Sequence, residues 1–188
     1  MTTERLVLRP FCDEDRSPFA ELQQHPLVVE FMGHRPDQAE CDAALAHMGE
    51  GCAPPCGYWA VDLVGGSSCI GLVSLNPVDP SLPPAPGLEI SWRLHPDHWD
   101  QGYATEAAAA VLDHGFSDAD TEEIIAFRAA VNLRSQGVML RLGLVQDETG
   151  DFDHPRLPPD SSLRPHVVYR IRADEWQMAS QGPPTLIS

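Results

Sequence analysis

Lysine is absent from this chain of 188 residues: its twelve Lys+Arg positions are all arginine, and they stand against 28 Asp and Glu for a formal net charge of −16. The absence removes chemistry. A Walker-type phosphate loop needs a lysine beside its glycine turn, and Schiff-base catalysis needs a lysine amine. Net positive charge is lacking too, which excludes non-specific nucleic-acid binding, because that depends on displacing counterions from phosphates. An acidic surface instead repels anions and gathers cations, protonated amines among them. Any anionic ligand must then be held by local arginines and backbone N–H groups. Long apolar runs are also missing. No stretch approaches the ~18 residues of a membrane helix, and residues 1–5 enter a strand-like run without an apolar signal segment. A cytoplasmic protein without membrane or nucleic-acid partners is expected. The five cysteines (Cys12, Cys41, Cys52, Cys56, Cys69) are odd in number and scattered. Cys52 and Cys56 lack the second pair that a zinc site needs, so free thiols and no metal are expected.

What is present suits one domain, since the length falls in the ordinary range and 43% of residues are hydrophobic. Residues 5–10 alternate polar and apolar before a proline, as a first strand does. Asp13 is placed to cap a helix reaching about Gln24, with Pro18 inside it, and a second helix is predicted over 36–48 with Pro36 in its first turn. Residues 58–64 and 69–75 flank Gly65-Gly66-Ser67 as a hairpin, and 76–87 carry five prolines in a loop. A strand over 88–94 leads to an Ala-rich helix over 103–116, then a buried-type strand over 123–131 and a short helix over 134–142 ended by Gly143. Residues 144–152 and 166–172 read as closing strands. The order predicts one α/β domain over 1–172, with 173–188 as a C-terminal tail.

The segment from Glu89 to Ala107 carries the most chemistry. A strand passes through the turn at Gly102 into a helix whose first turn is small-residued. Such a turn points several unpaired N–H groups at one spot, and the helix dipole adds partial positive charge there. The result is an anion-binding nest that needs no lysine. An ordinary strand-to-helix connection is the competing reading.

Trp99-Asp100-Gln101-Gly102-Tyr103-Ala104-Thr105-Glu106-Ala107 resembles the acyl-CoA pyrophosphate loop of the GNAT N-acetyltransferases, most closely the branch containing the RimJ/RimL ribosomal-protein acetyltransferases. Thr3-Glu4-Arg5-Leu6-Val7-Leu8-Arg9-Pro10-Phe11 with Asp15 resembles that branch's opening strand, and Glu89-Ile90-Ser91-Trp92 its fourth strand. The stretch from Asn132 to Leu144 resembles its Asn-x-x-Ser helix ending in Leu-Gly-Phe. The Phe152-Asp153-His154-Pro155 loop and the segment from His166 to Arg170 are similar to bacterial members.

The resemblance spans about residues 3–172 and implies an α/β (α+β) fold: a mixed, mostly antiparallel sheet of about seven strands flanked by helices, splayed between its fourth and fifth strands. It implies acetyl-CoA as cosubstrate, with the pantetheine arm along the fourth strand at Ser91 and Trp92. The pyrophosphate is expected on N–H groups of Asp100, Gln101, Gly102, Tyr103, Ala104 and Thr105. Asn132 and Ser135 match positions facing the cofactor, and Arg134 and Arg141 are candidates for its remaining phosphates or for a solvated helix face. Glu89 is the candidate base for the attacking amine, with an amine-binding carboxylate and an ion pair with Arg9 as alternatives. Met139 occupies the place where many members carry a general-acid tyrosine, leaving Ser135 or a water as proton donor. Asp100 stands where glycine or a basic residue is usual.

The implied activity is acetyl transfer to a primary amine by direct attack, the acceptor being a protein N-terminus or a small molecule. The alternative is a non-catalytic GNAT-fold protein that binds CoA or another ligand. A homodimer is left open. His95 and His98 flank Pro96-Asp97 without a third metal ligand and read as a surface turn, whereas His154 and His166 either line the acceptor pocket or fix a loop. Phe31-Met32-Gly33 falls in the region that shapes the acceptor site in relatives.

Overall fold

A computed structural model describes residues 1–50 and 53–180. Its first strand, β1 (Leu6–Arg9), buries Leu6 and Leu8 and turns Val7 and Arg9 outward, the period of a strand with one face in the core. It pairs antiparallel with β2 (Gly57–Leu63), which pairs with β3 (Gly71–Pro77), which pairs with β4 (Leu88–Leu94). β5 (Glu123–Ala129) pairs antiparallel with β8 (Pro165–Arg172), and β8 also carries the two-residue strands β6 (Val145–Gln146) and β7 (Phe152–Asp153). The eight-stranded sheet runs β1-β2-β3-β4-β5-β8-β6, with β7 on β8.

β4 and β5 form the one parallel pair among the described residues, because the helix α4 (Tyr103–Phe116) crosses over between them. They pair only at Leu88↔Ile124 and Glu89↔Ile125 and then diverge. That divergence is the expected splay. On one face, Ile90 and Leu94 pack under Ala107, Ala108, Val111 and Leu112 of α4. Gly115 lets the helix lie close: a Cβ there would stand 2.8 Å from both the Ile124 and the Leu75 side chains. The other face is covered by α1 (Arg16–Gln24), α2 (Pro26–Val29) and α3 (Gln38–Gly49), whose Phe19, Leu22, Val28 and Cys41 meet Leu72.

Several local expectations are corrected. Asp13 caps nothing; residues 13–15 form a 3-10 turn, and Asp15 instead accepts from Arg9 at 2.6 and 2.7 Å and from the Cys12 N–H at 2.9 Å. Because α1 starts at Arg16, Pro18 sits in the first turn, where its missing N–H has no helical partner to lose. α3 starts after Pro36, with Asp37 and Glu40 as a reciprocal capping box. The strand predicted over 144–152 breaks into β6 and β7, since the Asp147 carboxylate accepts from the Thr149 and Gly150 N–H groups, both at 3.1 Å, and folds the chain into a turn. Residues 173–180 of the expected tail form α6 (Ala173–Ser180), docked by Trp176, whose Nε1 donates to Asp113 at 2.7 Å; residues 181–188 lie outside the described residues, as does Cys52.

Candidate active site

Where β4 and β5 part, a cavity of about 800 Å³ opens between the two strands, the start of α4, the helix α5 (Leu133–Arg141) and the α2 segment. Its charge reverses that of the molecule. Arg93, Arg128, Arg134 and Arg141 line it, and its carboxylates are Glu89 and Asp100.

At one end lies the loop into α4. Gly102 has φ +83, a left-handed conformation natural to glycine, and it turns the chain so that α4 begins at Tyr103. From Asp100 to Thr105 no backbone N–H donates to a described residue, and Gly102, Tyr103, Ala104 and Thr105 line the cavity. This is an anion nest at a helix N-terminus. The opening strand holds it in place. Arg5 donates through Nη1 to the Gln101 carbonyl (2.9 Å) and through Nε to Glu106 (2.6 Å), and its guanidinium lies 4.7 Å from the Tyr103 ring centroid. Thr3 donates to the same Glu106 carboxylate at 2.6 Å. In the sequence Arg5 is only part of a strand signature; its role as a clamp is visible only once β1 and α4 are side by side. Gln101 is not among the lining residues; its side chain donates to the Asp97 carbonyl at 3.1 Å, and its own carbonyl is the one that accepts from Arg5.

Asp100 and Arg134 meet across the mouth. Arg134 Nη1 donates to both Asp100 oxygens, at 2.8 and 2.7 Å, and the guanidinium lies 4.9 Å from the Trp99 ring centroid. Asp100 also has φ +59. Arg141 donates to Thr105 Oγ1 at 3.3 Å, tying α5 to α4. Asn132 caps α5, accepting from the Ser135 N–H at 3.2 Å, while its carbonyl accepts from Arg128 at 2.7 Å. Its side-chain oxygen is thus engaged in holding the helix.

The middle of the cavity contains Glu89, Ser91 and Trp92. Ser91 shares a hydroxyl contact of 2.8 Å with Ser74 of β3. Among the described residues Glu89 faces no cation: Arg9, the candidate ion-pair partner, is committed to Asp15 and to Asp62 at 2.7 Å. Burial without a compensating charge pushes the Glu89 carboxyl up to about 8. Ser135 lines the cavity with its hydroxyl unbonded among the described residues, and Met139 lies behind it. Arg93 donates to Gln23, and burial pulls its pKa down to about 10.

The far wall is apolar and aromatic, with Leu27, Phe31, Met32 and Phe127 beside His166. The His166 and His154 rings are 4.9 Å apart, and burial lowers both pKa values. His166 lines the cavity; His154 accepts from the Arg156 N–H at 3.3 Å and fixes its loop, so the two histidines divide the expected roles. His95 and His98 form a turn, with His95 accepting from the Asp97 N–H at 3.4 Å, and no cluster able to hold a metal occurs among the described residues. No described helix is long and apolar enough to cross a membrane.

The profile described as "Acetyltransferase (GNAT) domain" matches residues 5–145. Over 182 residues the chain is 29% identical to the FsC-acetyl coenzyme A-N(2)-transacetylase of Aspergillus fumigatus, covering 93% of this chain and 76% of that protein. The crystal structure of an acetyltransferase from Agrobacterium tumefaciens superposes with a TM-score of 0.71 at 26% identity, covering 91% and 92% of the two chains. The fold is also that of spermidine N-acetyltransferase from Vibrio cholerae, solved in complex with CoA and spermine: TM-score 0.73, 16% identity, 94% of this chain and 100% of that one.

Proposed function

From the premise that the chain belongs to the GNAT acetyltransferase family and takes its acetyl group from acetyl-CoA, we propose that it delivers that group to a primary amine by direct attack, with Glu89 as the base. The observation that carries this reading is the Glu89 carboxyl in the middle of the cavity, with no cation beside it among the described residues and raised to about 8. A carboxylate of that basicity near neutral pH suits proton removal from an ammonium. Backbone N–H groups of β4 would polarise the thioester carbonyl. The nest from Asp100 to Thr105, with Arg134 and Arg141, would bear the pyrophosphate and remaining phosphates, and Ser91 and Trp92 would flank the pantetheine arm. Ser135 carries an unengaged hydroxyl on that path. Asn132 serves the site indirectly, by ordering the start of α5.

A small-molecule amine is favoured over a protein N-terminus. The acceptor end is an apolar and aromatic wall, with the Glu89 carboxyl beyond it in the middle of the cavity, which suits a compact monoamine. The Aspergillus relative is also named for transfer to a nitrogen of FsC. The proposal includes membership of the RimJ/RimL-like branch, a catalytic unit over residues 1–172 and a cytoplasmic setting, resting on the motif segments and on the free thiols of Cys12, Cys41, Cys56 and Cys69.

Thermal unfolding with acetyl-CoA, followed by an amine panel read as free thiol, tests the reading. Ligand at 100 times its dissociation constant adds ~2.7 kcal/mol of stability. A shift with acetyl-CoA and thiol release with monoamines are expected. A shift without release from any amine class would favour the non-catalytic alternative, and no shift would overturn both.

A further inference from the structure

Arg128 stands in β5 beyond the point where that strand leaves β4. Ile125 and Phe127 face the side of Glu89, whereas Ile124, Ala126 and Arg128 alternate to the side covered by α4 and α5. Arg128 exposes only 7% of its surface, yet it lines the cavity. Nε donates to the Asn132 carbonyl, and Nη1 is 3.0 Å from the Met139 sulfur, a weak acceptor. Nη2 is buried with no partner. The Tyr169 ring centroid of β8 lies 5.6 Å from the guanidinium, His166 of the same strand is near enough to feel its charge, and no carboxylate pairs with it among the described residues. A buried cation with one donor spent on a thioether and another unused is costly to keep. The arrangement becomes favourable when an anion arrives.

We propose that Arg128 is a catalytic residue holding the negative charge that develops on the CoA sulfur as the thioester breaks. The inference rests on the acetyl-CoA reading above. In the transfer, the amine nitrogen bonds to the carbonyl carbon, the carbon–sulfur bond breaks, and its electron pair leaves on sulfur. One ammonium proton passes to Glu89 before attack, a second leaves the nitrogen as the amide forms, and the thiolate takes up a proton as CoA is released, so that one proton in all is given up to solvent. That sulfur is the anion the reaction leaves inside the cavity once the carbonyl has re-formed. Arg134 and Arg141 sit at the mouth, bonded to Asp100 and Thr105, whereas Arg128 is deep. Glu89 pairs with Ile125, and Arg128 follows three residues later, roughly 10 Å along the strand on the opposite face. Base and guanidinium thus flank the gap from its two sides. Met139 places a soft sulfur against Nη1 in the free protein, and a displaced Met139 would let the CoA sulfur take over that contact together with Nη2.

The test titrates the thiol of CoA bound to the full chain, by thiolate absorbance and by affinity from about pH 6 to about pH 9. Free thiols titrate near 8.5. Bound CoA is expected to titrate at least about one unit lower, so its affinity relative to acetyl-CoA rises about tenfold across the range. Acetyl-CoA has no thiol proton and corrects for titration of Glu89 and His166. Arg128→Met is expected to abolish the rise and to lower kcat by about 10²-fold, as loss of one charge-stabilising donor does, with the KM for acetyl-CoA little changed. Arg128→Lys is expected to restore part of both. A wild-type bound thiol titrating at its free value would overturn the proposal, and this measurement needs no variant. So would an Arg128→Met protein that keeps the rise, one that loses CoA and acetyl-CoA equally at every pH, or one whose defect is confined to KM for carboxylate-bearing acceptors. Failure of acetyl-CoA to stabilise the wild-type protein would be seen beforehand and marks failure of the underlying reading.

Discussion

Glu89 links activity to pH and stability to pH with opposite signs. Its folded carboxyl keeps its proton up to about 8, while the unfolded chain releases it near 4.3. Between those values the folded state binds more protons, so this residue's contribution to stability is full at low pH and falls as pH rises through the window. Turnover runs the other way, because the base is the ionised form. Wild-type kcat/KM is therefore expected to climb to a plateau above about 8. Glu89→Gln is expected to lose ~10²–10⁴ in turnover together with that climb, and its melting temperature to decline less from mildly acid to alkaline pH. Unchanged turnover would dismiss Glu89 as base. Asp100 gives a second prediction at this scale. The Arg134 contact occupies a guanidinium that phosphate would otherwise claim, so Asp100→Asn removes both a competitor and a repelling charge. At ~1 kcal/mol for solvated charges, acetyl-CoA is expected to bind about fivefold tighter by calorimetry. Asparagine tolerates the left-handed φ, so a weaker complex would show that the carboxylate has a structural role.

At the scale of elements, two glycines inside helices carry opposite expectations. In isolation, each costs its helix roughly 1 kcal/mol against alanine. Gly115→Ala would drive a methyl against Ile124 and Leu75, both in the core, and overpacking of that kind costs ~1–3 kcal/mol, so the unfolding midpoint in urea is expected to fall. Gly137→Ala would meet only the mobile end of Arg141, at 3.2 Å, and is expected to leave the midpoint level or raise it. Local signals made α4 readable in the sequence to its last residue: an alanine run, a glycine turn before it and a glycine near its end. The start of α1 and the break between β6 and β7 were not readable, because Asp15 is drawn to Arg9 of β1, and the Asp147 turn, local in itself, is anchored by Arg170 of β8, a partner that chain order does not reveal. The same limit applies to the site. The glycine turn into α4 is a local motif and was legible. Arg5 and Arg128 acquire their positions only through long-range pairing, as does the Asp100–Arg134 contact.

Across the whole molecule, a net charge of −16 surrounds a cavity in which four arginines outnumber two carboxylates. The far field and the near field therefore oppose each other for an anionic cosubstrate and agree for neither substrate throughout its approach. Salt separates them. The screening length falls from ~30 Å at 0.01 M to ~8 Å at 0.15 M, which silences the distant acidic surface before it weakens contacts inside the cavity. The association rate of acetyl-CoA is expected to rise over that range, and that of a cationic acceptor to fall, as measured by stopped flow at the two ionic strengths. Parallel changes would show that the surface charge does not steer.

The ion pairs of the described structure draw every cation from arginine or histidine, as in Arg5–Glu106, Arg9–Asp15 and Arg170–Glu123. A lysine in any of these places would carry the same kind of nucleophile as the acceptor, and stray acylation would erase its charge and its bridge. Guanidinium stays protonated and does not attack a thioester. The scaffold that holds the cavity open thus has no side-chain amine to acylate, and a high concentration of its own donor cannot erase these bridges by that route.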